Sequence, residues 1–204
     1  MNRSLTMASI ITIIAIGFLG FGFAFSSVAV VDIIVDGENA SIKISSLPFN
    51  GKNNELLKKE LHKYLFDEVK NINSNTTTLI SKIKEISEEH GYNDVEVNVR
   101  SQFGENTLSM LVIVDGTSMV PTLKDGERLI IEKNKNAKVG DVVVANSAEY
   151  GLIVKRVNRT KGNELYLTSD NKNVETVIEN GIVYEVSGIR TWVDRSQIVG
   201  IAKV

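Results

Sequence analysis

Two side chains of this sequence could make and break covalent bonds at neutral pH, and the first is Ser118. It lies in Asp115-Gly116-Thr117-Ser118-Met119-Val120-Pro121-Thr122-Leu123, a Gly- and Pro-flanked stretch after an apolar run. A serine held at such a turn is exposed, and neighbouring backbone N–H groups can face a developing oxyanion. The second is Lys155, in Ile153-Val154-Lys155-Arg156-Val157, where alternation places Ile153 and Val157 on the lysine's own face. An amine among apolar neighbours loses hydration, which disfavours the ammonium and lowers its pKa. Bringing it from about 10.4 to the 7–8 useful for a base takes roughly 3 units, or about 4 kcal/mol.

Composition narrows the alternatives. The chain has 204 residues, no cysteine and two histidines, His62 and His90. Disulfides, thiolate catalysis and cysteine-based zinc sites are excluded, and a histidine-based triad or multi-histidine metal site is hard to assemble. A serine nucleophile without histidine leaves a neutral lysine as the natural base. No metal and no cofactor is expected. The net charge of −2 provides no global basic field for nucleic acid.

Two kinds of element must position these groups. From Asp94 onward short β-runs alternate with turn signals: Leu108–Val114, Arg128–Glu132, Asp141–Asn146, Leu152–Val157, Glu164–Thr168, Gly181–Ser187 and Gln197–Val204. Strands at that spacing predict a compact antiparallel β-domain. Before it, Val31–Ile44 reads as a strand pair around Asp36-Gly37. Leu56, Leu57, Leu61, Tyr64, Leu65 and Val69 recur at helical spacing, as do Leu79, Ile80, Ile83 and Ile86, with Gly91 at the stop. Further back, Leu5 to Val31 carries no charge. At about 1.5 Å per residue such a run can cross a hydrocarbon core about 30 Å thick. Its length favours a retained single-pass anchor over a cleaved signal peptide, although Ser27-Val28-Ala29 has the small residues of a cleavage site. Arg3 before the run votes for a cytoplasmic N-terminus and an external domain. The organisation read from the sequence is an anchor at 1–31, an α+β insert at 32–107 and a β-domain at 108–204.

Gly116-x-Ser118-Met119-x-Pro121-Thr122-Leu123 resembles the nucleophile box of the type I signal peptidase family. Val139-Gly140-Asp141-Val142-Val143-Val144, Ile153-Val154-Lys155-Arg156-Val157, Ser169-Asp170-Asn171 and Ile198-Val199-Gly200-Ile201-Ala202 are similar to that family's later boxes, in its order. The resemblance implies a mainly β, signal-peptidase-like fold and a membrane-anchored serine endopeptidase. Lys155 would take the proton of Ser118, and the acyl-enzyme would be hydrolysed by water. It also implies oxyanion or substrate contacts from Gly116, Thr117, Met119 and Pro121, with Asp170 organising the site. The partners would be exported preproteins and membrane lipid, with no nucleic acid. Two departures stand out. The last box runs into Lys172-Asn173-Val174-Glu175-Thr176, which leaves the residue that orients the lysine unassigned, and about eighty residues separate anchor and nucleophile box. The autocleaving SOS-repressor family is similar too, through Asp141-Val142-Val143-Val144-Ala145 and Val154-Lys155-Arg156, but this chain has no Ala-Gly dipeptide to cut. A non-catalytic surface protein with the same fold is the third reading.

Overall fold

The computed structural model describes residues 27–48, 51–173, 175–179, 182–186 and 188–204. The expected membrane anchor therefore lies almost wholly outside the described residues, and among these no helix is long and apolar enough to cross a membrane.

The first half forms an α+β unit. Strands β1 (Val28–Asp36) and β2 (Asn39–Leu47) make the expected hairpin. Gly37 takes φ +62° at its tip, a backbone conformation that L side chains adopt rarely. Helices α1 (Gly51–Glu68) and α2 (Thr76–Glu89) follow, then β3 (Asp94–Ser101) and the two-residue β4 (Gly104–Glu105). In α1, Leu57, Leu61 and Leu65 repeat every four residues and are fully buried, as are Leu79 and Ile83 of α2. Each such leucine or isoleucine contributes roughly 2 kcal/mol by leaving water. Asn75 caps α2, its side chain accepting from Thr78 N–H at 3.0 Å. The sheet order is β2-β1-β3-β4, and β1 runs parallel to β3 because the two helices carry the chain back to the starting edge. Ala29, Val31, Ile33 and Val35 of β1 are buried in this core. The strand thus begins inside the apolar run assigned to the anchor, whose last residues, Val28–Val31, pair on both sides as sheet rather than continuing a span.

The second half is a seven-stranded, wholly antiparallel sheet in the order β12-β9-β8-β7-β13-β6-β5. Its strands are β5 (Ser109–Ile113), β6 (Arg128–Glu132), β7 (Val142–Ser147), β8 (Gly151–Lys161), β9 (Glu164–Thr168), β12 (Arg190–Asp194) and β13 (Ile198–Ala202). A hairpin of β10 (Glu175–Glu179) and β11 (Ile182–Val186) interrupts the path from β9 to β12. Met119, Leu123, Leu129, Ile131, Val142 and Val144 belong to one apolar cluster, and Val143, Ile153, Val157, Leu165, Leu167 and Ile201 to another. Alternate residues of β7 thus serve opposite faces. The mainly β architecture with two helices agrees with the sequence reading; β10 and β12 were not anticipated.

Polar contacts join the halves. Buried Ser109 Oγ donates to Val35 O and accepts from Gly37 N–H, both at 2.9 Å. Lys133 Nζ donates to Asn71 O and Ser74 Oγ. Arg128 pairs with Glu38 at 2.9 Å. The insert therefore docks against the β5–β6 side of the large sheet.

Candidate active site

Lys155 sits near the middle of β8, opposite Val143 of β7. Ile153 and Val157 flank it on the same face, and its residue is 3% exposed. Burial pushes the amine below its ordinary value, a shift that the charge of Asp170 partly opposes. A fold that dries this strand face therefore favours the neutral amine.

The nucleophile turn reaches the same point from between β5 and β6. Gly116 adopts φ +82°, and its N–H donates to Asp125 Oδ1 at 2.7 Å. A Cβ there would meet nothing within 4 Å, so backbone conformation rather than space calls for glycine. Leu123 N–H donates to Met119 O at 3.0 Å and Val120 N–H to Thr117 O at 3.1 Å, which closes the chain tightly after Ser118. The result is a separation of 2.8 Å between Lys155 Nζ and Ser118 Oγ. Lys155 Nζ also donates to Val154 O at 2.8 Å.

A second set of bonds fixes the turn against the sheet. Asp170 takes Arg156 Nε at 2.8 Å on one oxygen and Arg156 Nη2 at 2.6 Å on the other; Thr122 Oγ1 donates to it at 2.5 Å. Arg156 Nη1 adds Gly140 O at 2.7 Å. The paired guanidinium, then the Thr122 hydroxyl, hold the Asp170 carboxyl below the usual carboxylate range. Asn171, next along, donates its N–H to Ser118 O at 3.0 Å and its Nδ2 to Thr117 O at 3.1 Å. The Ser169-Asp170-Asn171 segment thus ties nucleophile turn and base strand together.

Measured against expectation, the structure brings together Ser118, Lys155 and Asp170. It places Thr117 and Pro121 at the exposed surface beside them. Met119 is different: it is fully buried in a core cluster, so its side chain holds the turn down instead of lining a substrate path. Gly116 N–H is already bonded to Asp125, so its contribution is conformational and not that of an oxyanion donor. Arg156, next to the base lysine, forms the two-pronged pair with Asp170. Sequence reasoning also missed Thr122 and Asn171. The signal was available, since Asn171 adjoins the assigned Asp170 and Thr122 is part of the nucleophile box.

The chemistry such an arrangement can perform is acyl transfer. An uncharged amine at hydrogen-bond distance can accept the serine proton as Oγ attacks a carbonyl, and return it to the leaving group. Among the described residues no group of three or more His, Cys, Asp or Glu is placed to hold a metal ion. Comparison with known proteins agrees with a peptidase-type site. A family model described as Peptidase S24-like matches residues 76–186, more than half of the chain and inclusive of both Ser118 and Lys155. No curated protein and no solved structure gives a significant match. The chain belongs to the Peptidase S24-like family, serine peptidases of the Ser–Lys fold.

Proposed function

We propose that this chain is a membrane-tethered serine endopeptidase that removes signal regions from exported preproteins, with Ser118 as nucleophile and Lys155 as general base. The observation that carries the reading is the 2.8 Å contact between Ser118 Oγ and a lysine amine that burial drives toward its neutral form. Ser118 Oγ attacks the scissile carbonyl while its proton passes to Lys155 Nζ. The tetrahedral oxyanion is met by backbone N–H donors of the nucleophile turn. Collapse expels the amine with the proton from Lys155, and water, activated by the same lysine, hydrolyses the ester. Asp170 and Asn171 keep the two reacting groups in register. Support for the tether is the uncharged run from Leu5 to Val31, most of which precedes the start of β1 at Val28. A cut after Ala29 would fall within a buried, doubly paired strand, which favours retention of the run. The domain then lies outside the cell membrane with the N-terminus in the cytoplasm, within reach of emerging preproteins and lipid.

The Peptidase S24-like match favours a second reading, in which the same pair cuts its own chain or one dedicated substrate. One experiment separates the two. Full-length protein in vesicles is incubated with a signal-bearing preprotein, and both are followed by intact mass. Cleavage in trans that disappears in Ser118→Ala and in Lys155→Ala, with both variants folded, is the expected outcome. Loss of mass from the enzyme alone supports self-cleavage. Processing by either variant at the wild-type rate rules out the pair.

A further inference from the structure

Helix α1 turns a face to solvent that its own packing does not explain. Leu57, Leu61 and Leu65 are buried in the core shared with the sheet and α2. At about 100° per residue, the opposite side of the helix is formed by Lys52, Leu56, Lys59, Lys63 and Phe66. Lys70, just beyond the last turn, continues the line, and all six residues are exposed.

Lysines on a water-facing helix are ordinary, but two features of this stripe are not. Leu56 is 52% exposed and Phe66 62%, so large apolar groups stand in water between the lysines. The acids are also kept off the stripe. Glu55, Glu60 and Asp67 lie along its margins, and among the described residues none of them forms an ion pair with its lysines. Lys59 and Lys63, four residues apart, are instead like-charged neighbours, an arrangement that weakens a helix in water. Lys70 Nζ lies 3.7 Å over the centre of the Phe66 ring, which presents cation and ring together.

Such a face fits a layer of anionic headgroups. Lysine stems can lie along the surface and carry their ammonium groups to phosphates, while Leu56 and Phe66 leave water at the acyl boundary. The path of the chain agrees. Val28, first in β1, pairs with Leu47, and α1 begins shortly after at Gly51. Ser27 Oγ donates to Gly91 O, and Asn53 in the first turn of α1 donates its Nδ2 to the adjacent His90 O at 2.7 Å. The uncharged run that leads into β1 therefore joins the fold beside the start of α1.

We propose that the Lys52–Lys70 face of α1 is a docking surface for anionic lipid headgroups, which lays the α+β unit on the bilayer next to the entry of the chain. The inference goes beyond the peptidase reading. The tether is one of its supports, and the pair of Ser118 and Lys155 plays no part in it.

The chain has no cysteine, so a single label can be placed at will. Leu56→Cys carrying the apolar fluorophore NBD is introduced into full-length protein, which is reconstituted in vesicles of phosphatidylcholine with or without phosphatidylglycerol. Quenching of the label by doxyl lipid is followed at low and high salt. Quenching on the anionic vesicles, reversed by salt and absent on phosphatidylcholine alone, is the expected result. Lys59→Gln/Lys63→Gln should lower the ratio of docked to free label about 25-fold, from about fivefold for each lysine. An unquenched label on anionic vesicles, equal quenching on both kinds, or a double variant that docks like wild type overturns the proposal. A label that responds to polyuridylate without lipid, and not to anionic vesicles, assigns the face to nucleic acid and overturns it as well. Alkaline carbonate extraction of the same vesicles tests the tether separately: protein that is extracted, yet quenched at neutral pH, loses the tether and keeps the docking surface.

Discussion

Breaking the Arg156–Asp170 pair gives the most direct measure of how firmly the nucleophile turn is fixed. Asp170 accepts three charge-assisted or short hydrogen bonds, at 2.8, 2.6 and 2.5 Å, from Arg156 Nε, Arg156 Nη2 and Thr122 Oγ1. The side chains are 33% exposed for Arg156 and 13% for Asp170. Removing one partner of a fully buried pair costs about 3–5 kcal/mol, while a surface pair contributes about 0–1 kcal/mol. Partial exposure of the guanidinium places this one between, and we expect a coupling of about 2 kcal/mol. A double-mutant cycle of Asp170→Asn, Arg156→Gln and the double variant, by urea unfolding at pH 7, measures it. The pH dependence provides an internal check. Because the folded carboxyl lies below its unfolded value, its contribution is fully present above about pH 4 and is lost as pH falls through the folded pKa. Wild type should therefore lose stability below about pH 4 more steeply than Asp170→Asn. A coupling under about 0.5 kcal/mol, or identical acid slopes, would refute the claim that this pair clamps the turn.

Two further outcomes follow from burial. Lys133 is pushed down to about 8 from 10.5, chiefly by burial. The unfolded chain then binds the extra proton between those values, so stability should rise by about 2–3 kcal/mol from pH 8 to 10.5 and stay flat in Lys133→Met over that range, as read from urea midpoints. Gly200 of β13 has Glu132 O only 2.5 Å from where a Cβ would stand. Gly200→Ala should cost about 2–3 kcal/mol by thermal unfolding, and a change under about 0.5 kcal/mol would contradict the close packing of β13 on β6.

Much of this architecture was legible because it depends on local pattern. The helical recurrence of Leu57, Leu61 and Leu65 and the short apolar runs between turn signals, such as Arg128–Glu132, each name their element without reference to anything distant. Ser118 and Lys155 could be paired because each occupies a recognisable local setting. What stayed hidden is set by register between segments far apart in sequence. Whether Arg156 meets water or Asp170 depends on how β8 aligns with the segment after β9. Whether Met119 faces substrate or core depends on how the turn folds over the sheet. The parallel pairing of β1 with β3 likewise follows from the helical crossover, which neither strand's composition records.

The position of β1 has a mechanical consequence. Eight register pairs, from Val28↔Asp94 to Val35↔Ser101, join it to β3 in the same direction, and the chain leaves β3 for the large sheet at the end away from Val28. Tension entering through the residues before Ser27 and resisted by the peptidase domain would run lengthwise along that seam. The pairs would share such a load in shear, instead of opening one after another like a zip.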